Sequence, residues 1–128
     1  MAGRATRPVE LQIDLESRKR ASAEAREALA PFEDRLSDSA YADLRVIVTE
    51  LVTNSVKYGP GYPISLSVSL DRDGVVRGDV DDGGVGGVHI RAPGPLGGGL
   101  GLVIVDALAT WGVRPDSSHV WFEYVATS

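Results

Sequence analysis

The order of the predicted elements favours an α+β fold. This is a two-layer α/β sandwich whose sheet is mixed but mostly antiparallel, with helices on one face. Two stretches, Val9–Leu15 and Ile64–Leu70, alternate apolar and polar residues with the period of a half-buried strand. The second stretch leads through Asp-Arg-Asp-Gly into a return strand, as in an antiparallel hairpin. Longer apolar patterns with helical spacing supply the other layer.

The helix after the first strand is expected to be alanine-rich and to pack by a narrow stripe. Ser17 can cap its start. The stripe contains Ala21, Ala25, Ala28, Leu29 and Phe32. Pro31 has no amide hydrogen, so it should kink the helix or divide it in two. Residues 1–8 are expected to be a disordered lead-in, and residues 9–126 a single domain.

The strongest helical pattern runs from about residue 39 to residue 58. Ser37 or Ser39 can cap its start, and the Gly-Pro-Gly sequence at 59–61 ends it. Its broad apolar face is predicted to contain Tyr41, Leu44, Val48, Leu51, Val52 and Ser55. A neighbouring face should hold Ile47, Glu50, Asn54 and either Lys57 or Tyr58, because these positions recur every three or four residues.

In the return strand of the hairpin, Val76, Val80 and Asp82 share one parity, and Asp81 has the other. If the valines face the core, Asp82 also points inward and Asp81 points outward. A carboxylate that points inward needs a polar partner, so Asp82 is predicted to have a specific role.

The last third of the chain combines a loop, a helix and two short strands. Residues 83–99 are glycine-rich, and a loop of this length in a compact domain is usually functional. Residues 100–111 are apolar nearly all round, so a deeply buried helix is predicted. Strands over 112–114 and 119–125 should follow. The helix should make a right-handed crossover if it joins parallel strands.

The composition excludes several classes of function. The chain has 128 residues, a formal net charge of −5 and no cysteine. An acidic chain lacks the excess of Lys and Arg that duplex binding requires, so no direct nucleic-acid partner is expected. Without cysteine there is no thiolate metal site, and the two histidines are too far apart for a zinc site. No apolar run reaches the roughly 18 residues of a membrane span, so a cytoplasmic location without membrane contact is expected.

Glu50 and Asn54 lie one helical turn apart and point in the same direction. Mg²⁺ that is bound to phosphates prefers oxygen ligands, and the amide oxygen of Asn54 is one. Glu50 can orient or deprotonate a hydroxyl group or a water molecule. Taken alone, the pair is better explained as an exposed polar stripe on an amphipathic helix, but two glycine-rich boxes downstream reverse this preference and favour a nucleotide site.

The first box runs from Asp82 through Gly84 to Gly86. Its carboxylate can accept a hydrogen bond from an exocyclic amine, which favours adenine over guanine. The second box, Gly99-Leu100-Gly101, precedes a helix whose first amide groups can attract phosphates. Each box alone could be an ordinary turn or a close-packed helix start. The Walker A pattern is absent, and the glycines come too late in the chain for a Rossmann fingerprint.

Taken in order, these motifs resemble those of the GHKL ATPases, the superfamily of gyrase, heat-shock chaperone, histidine-kinase and mismatch-repair ATPase domains. Glu50-Leu-Val-Thr-Asn54-Ser-Val-Lys57-Tyr58 resembles the N box of that superfamily. The two glycine-rich boxes resemble its G1 and G2 boxes. The ending, with Trp111-Gly-Val and Val120-Trp-Phe-Glu, is similar to the small bacterial anti-sigma-factor serine kinases. The resemblance covers about residues 9 to 125.

This resemblance implies a Bergerat fold that binds ATP with Mg²⁺ beneath a lid over about residues 87–98. It makes Glu50 the general base, Asn54 the Mg²⁺ ligand and Asp82 the residue that reads adenine. The remaining residues of the implied nucleotide site are Lys57, Gly84, Gly86, Gly99, Leu100 and Gly101. Members phosphorylate a serine on an antagonist protein, bind a sigma factor and commonly form homodimers.

Two other functions stay open from the sequence. The chain could be a non-catalytic interaction module, in which nucleotide binding only sets the shape of a partner surface or has been lost. In that case partner capture should be indifferent to Glu50. A detached histidine-kinase domain is less favoured, because no His-bearing dimerisation helix precedes the N box in this sequence.

Overall fold

Strands and helices follow one another along the chain so as to build two layers. The computed structural model describes residues 8–85 and 100–126. Its elements are β1 (Val9–Leu15), α1 (Ala21–Ala28), α2 (Ala30–Glu33), α3 (Asp38–Tyr58), β2 (Ile64–Leu70), β3 (Val75–Asp81), α4 (Leu100–Leu108), β4 (Thr110–Val113) and β5 (Val120–Val125). None of the helices in these two ranges has the length and apolar character of a membrane span.

The strands form one sheet in the order β1-β2-β3-β5-β4. Each pairing between these strands is antiparallel, and β1 pairs with β2 from Val9↔Leu70 to Leu15↔Ile64. Because β3 and β4 both pair antiparallel with β5, they run in the same direction. The segment that contains α4 therefore crosses past β5 to join them. The predicted α+β fold with helices on a mostly antiparallel sheet is confirmed.

The core lies between the sheet and the helices. Alternate residues of the strands turn one face inward, as the sequence pattern predicts. This face contributes Leu15, Ile64, Leu66, Val68, Leu70, Val76, Val80, Val120 and Phe122. The helices, with Leu29 between α1 and α2, contribute Ala21, Ala25, Leu29, Phe32, Leu44, Ile47, Val48, Leu51, Val52, Leu102 and Val105.

Helix α3 runs through this core and carries the N-box residues. Ser37 is its N-cap, and the side chain accepts a hydrogen bond from the amide of Ala40 at 3.1 Å. The prediction for the start of the helix is thus confirmed. Ile47, which is predicted to share a face with Glu50 and Asn54, is fully buried, so that face begins inside the core. The apolar stripe of α3 is wider than predicted because both the sheet and α4 pack on it.

The first helical region is divided in two, as Pro31 predicts. Leu29 separates α1 from α2. Pro31 lies in the first turn of α2, where a backbone amide has no acceptor within the helix, so the absence of an amide hydrogen breaks no helical hydrogen bond. The predicted cap at Ser17 is wrong, because Arg20 precedes the helix and provides no side-chain cap.

Helix α4 is shorter and less buried than predicted. It ends at Leu108, and Thr110 already belongs to β4, where Trp111 pairs with Phe122. Leu102 and Val105 are buried, whereas Val103 is 43% exposed. The helix packs by one side only, mainly on α3, so its apolar composition does not place all its faces in the core.

Candidate active site

Asp82 is a buried carboxylate that directly follows β3. Only 4% of the residue is exposed, which confirms the inward direction predicted from its parity. Its Oδ1 accepts hydrogen bonds from the amide of Gly84 at 2.9 Å and from the hydroxyl of Ser118. Among the described residues, Oδ2 has no hydrogen-bond donor. One oxygen of this buried group is therefore satisfied and the other is available to a donor on a ligand.

The space around the second oxygen is bounded by the end of α3. A Cβ placed on Gly59 would lie 2.7 Å from Asp82 Oδ2, closer than real Cβ contacts. Gly59 follows the last residue of α3, and its amide donates to the carbonyl of Ser55 at 2.9 Å. The carboxyl end of α3 and the end of β3 thus meet at Asp82.

The turn between β4 and β5 holds the segment after Asp82 in place. The amide of Ser118 donates to the carbonyl of Gly84 at 3.2 Å, and Val85 forms an isolated bridge with Ser117. A Cβ on Gly84 would lie 3.0 Å from Asp82 Oδ1 and would overlap the hydroxyl of Ser118. A side chain has no room at Gly84, because the side chains of Ser118, Asp82 and Pro60 converge there.

Ser118 is the residue of this site that sequence reasoning missed. It shares its parity with the buried residues Val120 and Phe122, so the alternation that identified Asp82 also directs Ser118 inward. That signal was present in the sequence. Its partner was not evident, because the two residues are 36 positions apart and meet only through the pairing of β3 with β5.

Glu50 lies on α3, half-buried, and its carboxylate rests against the first turn of α4. A Cβ on Gly101 would lie 2.6 Å from Glu50 Oε1. Within the part of the chain that the structure describes, the carboxylate makes no hydrogen bond and no ion pair. Its oxygens are therefore available as proton acceptors.

The other N-box residues follow along α3. Asn54 is half-buried one turn beyond Glu50, and Lys57 is exposed near the carboxyl end of the helix. Of the second box, Gly101 is the second residue of α4, and Leu100 begins that helix. Gly86, Gly99 and the predicted lid over 87–98 lie outside the described residues, as does the predicted lead-in except for Pro8.

A separate open groove of about 570 Å³ crosses the face of the sheet opposite the helices. Arg77 lies in it and bonds to Asp71 at 2.7 Å and Glu123 at 2.9 Å. Hydrogen bonding from the Val75 amide and then from Arg77 lowers the pKa of the Asp71 carboxyl. Neither Glu50 nor Asp82 lines this groove. We place the candidate site on the helix side, since the buried carboxylate with a free oxygen lies there.

Comparison with known families identifies the class of protein that this fold and site define. The model of the histidine kinase-like ATPase domain matches residues 11–113, so the chain belongs to that family. Domains of this family bind ATP, generally with Mg²⁺. The resemblance to the GHKL superfamily is thereby confirmed.

Among solved structures, the chain is similar to the crystal structure of the RsbU and RsbW domains of Rv1364c from Mycobacterium tuberculosis. The two share 23% sequence identity with a TM-score of 0.65. The match covers 91% of this chain and 31% of the other, so the present chain spans about a third of its length. At this level of sequence identity, the similarity shows that the two proteins share a fold and nothing beyond that. No curated protein matches the chain.

Proposed function

We propose that this chain is an ATP-dependent protein serine kinase of the anti-sigma-factor type. It would phosphorylate a serine on an antagonist protein, bind a sigma factor and act in the cytoplasm, with a homodimer as its expected form. The observation that carries the proposal is the half-satisfied carboxylate of Asp82, which follows β3 and lies against the carboxyl end of α3, with the free carboxylate of Glu50 farther back along α3.

Adenine fits the Asp82 end of the site. The free Oδ2 is positioned to accept a hydrogen bond from an exocyclic amine, while Gly84 and Ser118 hold Oδ1. A donor of that kind would satisfy the remaining half of a buried charge. Guanine presents a carbonyl at the corresponding ring position, which would face the carboxylate unfavourably.

A magnesium-bound triphosphate fits the Glu50 end. The amide oxygen of Asn54 would ligate Mg²⁺, with phosphate oxygens and water completing the coordination. The ion, when bound, neutralises charge on the transferring phosphoryl group. The first turn of α4, which starts at Leu100, offers unpaired amide groups to the phosphates, and Lys57 can add a cation. Glu50 and Gly59 are about 13 Å apart along α3, a distance close to the span from an adenine amine to a terminal phosphate.

The transfer step assigns Glu50 the role of proton acceptor. A substrate serine oxygen forms a bond to the γ-phosphorus as its proton passes to the Glu50 carboxylate. The bond from that phosphorus to the bridging oxygen breaks, and ADP leaves with the electron pair. The likeness of the fold to a protein that contains an RsbW domain supports the choice of a regulatory protein as substrate and partner.

Binding is tested by calorimetry with Mg-ATP on the wild type and on Asp82→Asn. The variant keeps the shape of the side chain but places an amide next to the adenine amine, so affinity should fall at least tenfold. Asp81→Asn is the matched control, because Asp81 neighbours it on the strand and points to the other face. Equal affinity of Asp82→Asn and the wild type would contradict the assigned adenine site.

Transfer is tested with labelled ATP and candidate antagonist proteins that carry an exposed serine. Glu50→Gln should reduce phosphorylation by about 10²- to 10⁴-fold and leave ATP binding within a few-fold, because only proton acceptance is lost. Glu33→Gln, which removes an exposed carboxylate of α2, serves as the control. Undiminished transfer by Glu50→Gln would refute the base, and tight ATP binding with partner capture but no transfer would favour the non-catalytic module.

A further inference from the structure

Gly101 occupies a helical position where glycine has no conformational advantage. Glycine is less favourable than alanine inside a helix. The positive-φ glycines of the described residues are Gly61, Gly74 and Gly83, so Gly101 has an ordinary helical backbone. The reason for glycine at this position is therefore the volume that a side chain would fill.

That volume is taken by Glu50. A Cβ on Gly101 would lie 2.6 Å from Glu50 Oε1 and 3.6 Å from both Cβ and Cδ of the same side chain. Among the described residues, outside the immediate neighbours and the helix backbone, Glu50 supplies the three nearest heavy atoms to that position. The closest contact is with the oxygen that would accept the proton, so a methyl group here would displace the carboxylate before it disturbed any other described residue.

We propose that Gly101 is a positioning residue for the Glu50 carboxylate, because its bare Cα at the second position of α4 leaves the space in which Oε1 lies. The inference rests on the proposed function, since it takes Glu50 as the proton acceptor. It assigns Gly101 a role toward the protein's own base, separate from contact with phosphates. The partial positive charge of the first turn of α4 favours a carboxylate at this place.

A methyl group at position 101 moves the base away from the substrate hydroxyl. A displacement of about 1 Å in a reacting group can lower the rate by about 100-fold. Gly101→Ala should therefore lower kcat by 10- to 100-fold, while the KM for ATP changes by less than about threefold. A purely phosphate-binding glycine would instead raise the KM for ATP.

The contact itself is tested without nucleotide, by thermal unfolding of the wild type, Gly101→Ala, Glu50→Ala and the double variant. With Glu50 present, alanine at 101 should change Tm by less than about 1 °C, because the cost of displacing the carboxylate offsets the gain in helix propensity. With alanine at position 50, the same change should raise Tm by about 3 °C, because alanine is the better helix former. Ala107→Gly, at an exposed position of α4, is the control and should lower Tm equally in both backgrounds.

A rise in Tm that is confined to the Glu50→Ala background supports the contact, and so does a Gly101→Ala protein that fails to fold while the double variant folds. An equal rise in Tm in both backgrounds overturns the inference, whatever the activity. If the rise is confined to the Glu50→Ala background but the wild type binds no ATP and transfers no phosphate, the proposed kinase is refuted and the contact stands. If the wild type is an active kinase and the two substitutions have additive effects on Tm, only the role of Gly101 is refuted.

Discussion

At the scale of single residues, the site depends on how one buried carboxylate is held. Asp82 accepts two hydrogen bonds on the same oxygen, one from the next loop and one from the turn before β5. This fixes the rotation of the carboxylate and directs its second oxygen toward the end of α3. Under the proposed function, Ser118 would therefore influence how well Asp82 binds adenine.

Ser118→Ala should weaken ATP binding by about tenfold, because Asp82 loses one of two bonds that orient it. Calorimetry with Mg-ATP measures the effect. Ser118→Thr retains the hydroxyl group and should stay within about twofold of the wild type. Unchanged affinity of Ser118→Ala would show that the Gly84 amide alone is enough to orient the carboxylate.

Parity along a strand predicted the direction of Asp82 correctly, since burial of one sheet face is a local property of the sequence. The same rule covers Ser118, but the register between β3 and β5 is needed to bring the two together. The contact between Glu50 and Gly101 is harder still to predict from the sequence. It depends on the packing of α4 on α3, and no residue pattern in either helix encodes that distance.

At the scale of elements, hydrogen bonds join α3 to neighbouring elements at several points along its length. Ser22 of α1 bonds to Thr53 at 2.6 Å, and Arg26 donates to Thr49 at 3.1 Å. On the sheet side, the hydroxyl of Tyr124 donates to Asp43 at 2.6 Å. These bonds connect the helix that carries Glu50 and Asn54 to both layers.

The Tyr124 contact predicts a stability change at alkaline pH. Burial, followed by the hydrogen bond to Asp43, raises the pKa of Tyr124 to about 12 from the ordinary value of 10.0. A raised pKa stabilises the folded state below pH 10, and this contribution is lost as the pH rises toward 12. Tyr124→Phe should lower the free energy of unfolding by about 1 kcal/mol at pH 7. The variant should also lose less stability than the wild type as the pH rises from 10 toward 12, because it has no phenol group to ionise.

Denaturant titrations of the wild type and Tyr124→Phe between pH 7 and pH 12 measure this difference. Asp43→Asn keeps an oxygen acceptor and should retain part of the bond. A constant difference between the wild type and Tyr124→Phe across that range would contradict the assigned contact.

The elements that sequence reasoning identified well are those with long, regular patterns. The hairpin of β2 and β3 and the capped start of α3 are confirmed because the sequence alternates or repeats over many residues there. The predicted end of α4 was wrong. The apolar run continues through Ala109 and Thr110 without a glycine or proline, so nothing local marks the change from helix to strand. Pairing of Trp111 with Phe122 decides it.

At the scale of the whole molecule, the candidate site is assembled from elements of both layers. Its described residues come from α3, from the end of β3, from α4 and from the turn before β5. These elements are distant in the chain and adjacent in the fold. Placing β5 between β3 and β4 is a long-range property, which is why the strand order could not be derived from local patterns.

A ligand that binds across all these elements should stabilise the entire fold. Mg-ATP at about 100 times its Kd should add about 2.7 kcal/mol, which corresponds to a rise in Tm of about 8 °C. Differential scanning calorimetry with and without Mg-ATP measures the shift. Asp82→Asn at the same ATP concentration should show a clearly smaller rise, and an equal rise in both proteins would place ATP elsewhere.

Because α3 is one uninterrupted helix, the spacing between its Glu50 end and its Gly59 end is constant. The protein should therefore discriminate nucleotides by length as well as by base. AMP, which has the same base and two fewer phosphates, is expected to occupy the Asp82 end and compete with ATP without reaching Glu50.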